Sequence, residues 1–177
     1  MADRLITPSQ LSLFSRSPVI GAWWEEVHAT DPKRAPRPEV KALDDLLFEA
    51  GHEHEQVLIA QLKREDKRVA ELRGKQDASD YEECLEAMRS GADYIWQASM
   101  HNDEMRGSAD LLERIEEPSA LGDWSYIPIE CKLSSHPKPI YLVQACAYCE
   151  LLTPILGQRP EQFKLYLGGA QLKPYRS

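Results

Sequence analysis

The spacing of apolar residues changes near residue 91, and no other feature constrains the fold of this chain as strongly. Upstream, across residues 38–72, Leu43, Leu46, Leu47, Ala50, Val57, Leu58 and Leu62 recur at threes and fours, with His54 on the same stripe. That is the period of a helix with one buried face. Downstream the period drops to that of a strand. "ADYIWQASM" sets Tyr94, Trp96, Ala98 and Met100 against Ile95, Gln97 and Ser99, "HNDE" is a turn, and "RGSADLLERI" and "SYIPIECKL" read as second and third strands. A helix over residues 140–152 and a fourth strand, "QFKLYLGG", follow. A strand, helix and strand in succession return the chain for a parallel pairing. The expected fold is therefore α/β, with a mixed four-stranded sheet flanked by helices and additional helices at the amino-terminal end.

Those amino-terminal helices have their own signals. Thr7 is a helix N-cap, Pro8 suits the first helical position and Gln10 completes a capping box ahead of Leu11, Leu13 and Phe14. Residues 28–39, "HATDPKRAPRPE", read as a solvated loop. The mixed charges of "KREDKRVAELRGK" read as a solvated helical face, and "SDYEECLEAMRSG" as a further helix. With 177 residues, 42% hydrophobic and 28% charged, the chain suits a single domain. Its parts are an amino-terminal helix and linker (1–37), helices (38–91) and the sheet with its helix (92–169).

"MADRLITPSQLSLFSRSP" carries no apolar run long enough for a signal or spanning helix, so the expectation is a cytoplasmic protein with no membrane partner. Four cysteines in an intracellular chain are thiols or ligands before they are disulfides. The net charge of -8 argues against a polyanionic partner, but it is unevenly spread. Residues 1–117 hold 15 basic against 25 acidic side chains, whereas 118–177 hold 6 against 4.

Alternation along the third strand puts Ile127, Ile129, Cys131 and Leu133 on one face and Tyr126, Pro128, Glu130 and Lys132 on the other. Cys131 packs as a small buried thiol. Pro128 cannot donate to a ladder and marks a strand start or a bulge. Glu130 and Lys132 alone would be an ordinary ion pair on an exposed sheet face, worth under about 1 kcal/mol. Their company changes the reading. Asp110 lies on the preceding strand at a separation that brings it beside Glu130, and two adjacent carboxylates are costly without a cation between them. Oxygen-only ligation suits Mg²⁺ or Mn²⁺, and a neighbouring lysine orients or helps deprotonate a water. Gln144 and Tyr148, at i and i+4, share a face of the next helix. His54, on helical evidence alone, is a satisfied core residue.

The array Gly51-x-x-His54-Glu55, Gly107-x-x-Asp110, Glu130-x-Lys132 and Gln144-x-x-x-Tyr148 resembles the PD-(D/E)xK nuclease superfamily, and within it the RecB-like exonuclease domains. These include the CRISPR-associated RecB-like nucleases and the nuclease parts of RecB-like nuclease/helicase proteins. The likeness runs from "TPSQLSLF" through "LYLGG". It implies a restriction-endonuclease-like core and a Mg²⁺- or Mn²⁺-dependent deoxyribonuclease, exonuclease-like on single-stranded or end-exposed DNA, in repair, recombination or defence. By the same resemblance Asp110 and Glu130 hold the metal, with His54 and the Cys131 carbonyl as further ligands. Lys132 positions the attacking water and stabilises the phosphate. Gln144 and Tyr148 brace the site and contact DNA, and Glu55 belongs to the pattern without an assigned role.

Two departures from the family accompany the likeness. Many relatives bind a 4Fe–4S cluster through a cysteine before the histidine helix, where this chain has Ser17, and through three near the carboxyl end. The cysteines here are Cys84, Cys131, Cys146 and Cys149, and no iron–sulfur cluster is expected. Larger relatives continue into further helices or helicase-like regions, so a helicase or other repair or defence protein is the expected partner. A noncatalytic nucleic-acid-binding or protein-interaction module retaining the fold is the alternative that the acidic net charge favours.

Overall fold

The structure is a computed structural model that describes residues 5–17, 19, 26–27, 30–31, 41–169 and 171–177. The loop expected over residues 28–39 lies outside them except at Thr30 and Asp31, as does the expected helix start at Pro38. Helix α1 (Pro8–Arg16) begins with the expected capping box. Thr7 Oγ1 accepts from Gln10 N at 3.2 Å and Gln10 Oε1 accepts from Thr7 N at 2.8 Å. Ile6 just before it bridges to Met105, which ties this segment to the sheet.

Helix α2 (Lys41–Arg64) stops earlier than its periodicity suggests. Asp66 takes a left-handed φ of 61°, and Lys67 N donates to the Leu62 carbonyl at 3.1 Å, an arrangement that closes a helix. The charged run that reads as a solvated helical face instead enters strand β1 (Val69–Glu71). Helix α3 (Ala78–Arg89) then carries the chain to β2 (Tyr94–His101), which lies parallel to β1. Strand β3 (Arg106–Ile115) pairs antiparallel with β2 after a turn in which Asn102 Oδ1 accepts from Glu104 N and Met105 N. Strand β4 (Ser125–Lys132) is antiparallel to β3, and helix α4 (Pro139–Leu156) crosses to β5 (Gln162–Leu167), parallel to β4. Strand β6 (Gln171–Arg176) closes the edge against β5.

The result is an α/β fold with a mixed sheet ordered β1-β2-β3-β4-β5-β6, six strands where four were expected. The two added strands are the edges. Three residues in a charged stretch make β1, and β6 carries Pro174, which an edge strand tolerates because one side of its backbone is open. Pro128 lies inside β4 opposite Leu112, neither at its start nor at a bulge. Pairing with β5 begins only at Ile129, so at Pro128 the strand has one neighbour and the missing N–H is tolerated.

Helix α2 covers one face of the sheet, packing Leu58, Ile59 and Leu62 on Trp96, Leu111, Ile129 and Cys131. Helices α3 and α4 cover the other, where Met88, Leu151 and Leu152 meet Ile95, Ala98, Leu112 and Tyr126. The polar side of β4 is therefore buried rather than exposed. Helix α4 is long and apolar enough by composition to cross a membrane, but its Ala145, Tyr148, Cys149, Leu151 and Leu152 are buried against the protein.

One irregularity shapes the centre of the sheet. Ile95 and Ala98 belong to one core cluster and Trp96 to the other, so β2 does not alternate as its sequence suggests. Gln97 has a φ of 54°, and this left-handed residue reverses the phase of the strand. On β3 the same reversal falls at Asp110: Ala109 and Leu111, which strict alternation would put on one face, lie in opposite core clusters, and Leu112 returns to that of Ala109. The pairs Trp96↔Leu111 and Ala98↔Ala109 bracket the two residues, which sit across from each other.

Candidate active site

The interruption at Gln97 and Asp110 opens the ladder where chemistry is expected. Paired residues of β3 and β4 run from Ile115↔Ser125 to Leu111↔Ile129. One step further, Asp110 Oδ2 accepts the Cys131 N–H at 2.7 Å, so a side chain takes the place of a backbone carbonyl. Gly107 allows the close packing behind it. A Cβ there would stand 2.8 Å from Pro8 Cδ and 3.1 Å from Tyr148 Cε1.

Glu130, on the next strand, is fully buried and faces the Lys132 ammonium in an ion pair. Apart from that pair, neither of its carboxylate oxygens accepts a hydrogen bond. A buried charge left this bare is expensive. Burial pushes Glu130 up to about 8, the Asp110 charge adds to the rise, and Lys132 opposes it. Burial likewise raises Asp110 to about 6, with Lys132 and the Cys131 N–H opposing and Glu55 contributing. For Lys132, burial acts to lower the value, yet Glu130 and Asp110 outweigh it and hold the ammonium above the ordinary lysine range. Lys132 is therefore a fixed cation at neutral pH.

A cleft of about 530 Å³ opens onto this cluster. Asp110, Cys131 and Lys132 form its floor, Gly51, His52 and Glu55 of α2 one wall, and Tyr141 at the start of α4 the other. Glu55 is held in place by Trp96 Nε1 at 2.8 Å and Gln97 Nε2 at 2.9 Å, and its charge acts on both Asp110 and Glu130. Gln144 hydrogen-bonds the Tyr148 side chain, whose hydroxyl donates to the Ser108 carbonyl at 2.7 Å. Tyr148 is buried, and burial together with Glu130 and Asp110 holds its phenol well above the ordinary value. It braces β3 from the α4 side, beneath the carboxylates.

The residues named from sequence thus divide. Asp110, Glu130, Lys132 and the Cys131 backbone converge, with Glu55 beside them. His54 stands apart: its ring stacks on Tyr166 at 4.4 Å, with Nε2 only 3.5 Å from the Tyr166 carbonyl, and it does not line the cleft. The histidine at the wall is His52, tilted 5.4 Å from the Trp96 ring. The Cys131 thiol points into the core under α2, Cys84 and Cys149 are buried thiols, and Cys146 is half-buried. Reasoning from sequence passed over Arg73, Trp96 and Tyr141. Tyr141 alone carried a signal: it lies one helical turn ahead of Gln144, so it shares a side of α4 with it.

Whether these side chains suit a divalent cation can be tested on the donors themselves. Among the described residues no three His, Cys, Asp or Glu side chains are grouped to hold a metal ion. Mg²⁺, however, is usually bound through one or two carboxylates with waters and phosphate oxygens completing the shell. Here Glu130 is buried and Asp110 half-buried, Glu55 adds a third negative charge, and among the described residues Lys132 is the cation paired with Glu130. The oxygen-rich donors, the excess of negative charge and the bare Glu130 oxygens fit such an ion.

Fold and site together define an α/β protein whose mixed sheet carries an acid–lysine cluster at the floor of a cleft. No protein-family model matches the chain, and no curated protein matches its sequence.

Proposed function

We propose that this protein is a Mg²⁺- or Mn²⁺-dependent phosphodiesterase that hydrolyses DNA, a RecB-like member of the PD-(D/E)xK nucleases with a restriction-endonuclease-like core. Its substrate on this reading is single-stranded or end-exposed DNA, in repair, recombination or defence, with a helicase or similar protein as partner. The observation that carries the proposal is the fully buried Glu130, whose oxygens have no hydrogen-bond partner beyond the Lys132 ion pair, set behind Asp110 and Lys132 of the cleft floor. Asp110 and Glu130 would hold a divalent cation, which would supply Lewis-acid polarisation of the phosphate and lower the pKa of a water.

The protein's own groups divide the remaining work. Asp110 is oriented by the Cys131 N–H, so its carboxylate is positioned before substrate arrives. Lys132, protonated at neutral pH, stabilises negative charge on the phosphoryl oxygens and orients the attacking water rather than accepting its proton. Glu55, fixed by Trp96 and Gln97, is placed to receive that proton or to orient a second water. Gln144 and Tyr148 keep α4 registered on β3. Degradation of labelled DNA with Mn²⁺ is the test. Glu130→Gln and Lys132→Ala each lower the rate by about 10³-fold, the scale of removing one electrostatic contact from a reacting centre. Equal rates in the wild type and both variants sink the proposal.

The second reading, a noncatalytic nucleic-acid-binding or interaction module retaining the fold, draws on Lys132 itself, which already neutralises Glu130. Calorimetry separates the two. Mn²⁺ binding that Asp110→Asn abolishes supports the enzyme, and no binding by the wild type supports the module.

A further inference from the structure

The cleft over the acid cluster is one of two that meet at a single side chain. The second, of about 460 Å³, is lined by Ser15 of α1 and by Lys138, Pro139 and Ile140, and Tyr141 borders both. Tyr141 is half-buried, its base anchored in the cluster around Phe163 and Leu165, so the ring has a fixed place from which to divide the two spaces. Cations flank the ring: Lys132 Nζ lies 5.7 Å and Lys138 Nζ 5.8 Å from its centroid. Lys138 is exposed and also stands at the N-cap of α4, where no side chain caps the helix. The partial positive charge of that helix end therefore adds to the two ammonium groups.

An otherwise acidic chain thus gathers positive charge around one aromatic ring. A partner that fits must carry regularly spaced anions and flat apolar faces, and each space, at a few hundred Å³, is sized for one small ligand unit. Single-stranded nucleic acid has both features, because its bases are free to leave one another and stack on a side chain. A duplex keeps its bases stacked inside and offers such a ring only phosphate and sugar.

Resting on the nuclease reading above, we propose that Tyr141 is a base-stacking divider on a single-stranded DNA track. One nucleotide lies in the cleft with its phosphate toward Lys132, and the next lies across the ring, with its phosphate toward Lys138. Tyr141 is thereby a specificity residue that selects strand over duplex, two helical turns ahead of the buried Tyr148 on α4.

Fluorescence anisotropy with a labelled oligothymidylate, in EDTA so that no cleavage intervenes, tests this. The expected results are that the wild type binds the strand more tightly than a blunt duplex and that Tyr141→Leu weakens strand binding about tenfold, within the range for loss of one stacked base. Tyr141→Phe, which keeps the ring, stays within about twofold of wild type, and an abasic strand binds wild type and Tyr141→Leu alike. Lys138→Gln lowers the salt dependence of strand binding by about 0.7 in log–log slope, one phosphate contact. Wild-type strand binding by Tyr141→Leu, duplex binding as tight as strand, or no strand binding at all overturns the track. Tighter binding of oligouridylate than oligothymidylate overturns its assignment to DNA. The two readings fail separately. If Tyr141 governs binding but Glu130→Gln leaves Mn²⁺-dependent cleavage intact, only hydrolysis by this cluster is refuted; if cleavage needs Glu130 but Tyr141→Leu binds normally, only the track is.

Discussion

Among the described residues two carboxylates are completely buried, and they are served in opposite ways. Asp80, on α3, accepts backbone N–H groups from Gln76 at 3.0 Å and from Lys75, and faces Arg73 Nη2 at 2.7 Å. The donors come from its own loop and helix turn, so folding that turn brings its partners with it. Glu130 sits at the centre of the sheet and has Lys132 alone. Both side chains are fully buried, but Asp80 Oδ2 is answered by backbone hydrogen bonds and only its Oδ1 is left, like Glu130 Oε1, with an ion pair alone. A buried acid surrounded by donors is a structural device; a buried acid kept short of donors, next to a second acid and a cleft, suits the cation proposed above.

That contrast breaks most visibly on mutation. Asp80→Asn leaves Arg73 facing a neutral amide and places N–H groups against one another, and is expected to lower the unfolding free energy by about 2 kcal/mol, the scale of leaving buried hydrogen-bonding groups unpaired. Glu130→Gln is expected to do the reverse in metal-free protein at pH 8, raising stability, because it deletes a charge that the fold holds at a loss. Urea unfolding of the two variants against wild type checks both signs. Stabilisation by Asp80→Asn, or a loss at Glu130→Gln as large as that at Asp80→Asn, would show that the two acids are equivalent.

This difference was only half legible in the sequence. Alternation along β4 sufficed to bring Glu130 and Lys132 to one side, and the hairpin spacing sufficed to bring Asp110 near them. Alternation says which residues share a face but not what covers it, and α4 covers this one, so an ion pair expected on an exposed surface became a buried one. The phase reversal was illegible for a related reason. A left-handed glutamine costs local energy that tertiary contacts must overrule, and the bond from Gln97 to Glu55 spans 42 residues. β1 escaped notice because three residues in a charged run carry too little pattern for any period, and β6 because its pairing partner, not its own sequence, organises it. His54 shows the opposite limit: its place on the helical stripe correctly implied a packed residue, and its ring is stacked on Tyr166.

A smaller effect, and a sharper one, is in the pH dependence. Glu130 and Asp110 have folded-state values above their ordinary ones, so the folded state holds protons that the unfolded chain releases. Their contribution to stability is full below about pH 4, the unfolded carboxylate range, and is lost as pH rises through about 6 and 8. Metal-free protein should therefore lose about 2 kcal/mol relative to Glu130→Gln between pH 5 and pH 8. Taking the difference between the two proteins cancels the shared groups that do not interact with Glu130. Mn²⁺ should restore stability more at pH 8 than at pH 5, because it competes with the proton for the same oxygens. A difference that is flat with pH, measured by chemical unfolding at each value, would mean that Glu130 is as well served as Asp80.

The smallest effect concerns the strand irregularity that makes the site possible. Gln97 pays for a left-handed backbone of about 1 kcal/mol or more, and its side chain donates to Glu55. Gln97→Gly removes the backbone cost, since glycine reaches positive φ freely, but it also removes the bond to Glu55 and adds glycine's larger entropy in the unfolded chain. These contributions oppose one another at similar size, so the net change in stability should fall within about 1 kcal/mol of wild type. Catalysis should not share that cancellation, because Glu55 is left with the Trp96 bond alone and is less firmly oriented. A near-neutral change in the unfolding midpoint together with a clear fall in the rate of DNA cleavage would therefore show that the reversal at Gln97 is kept for the cleft. A large loss of stability would instead make Gln97 a packing residue like Asp80, whose neighbours fold with it.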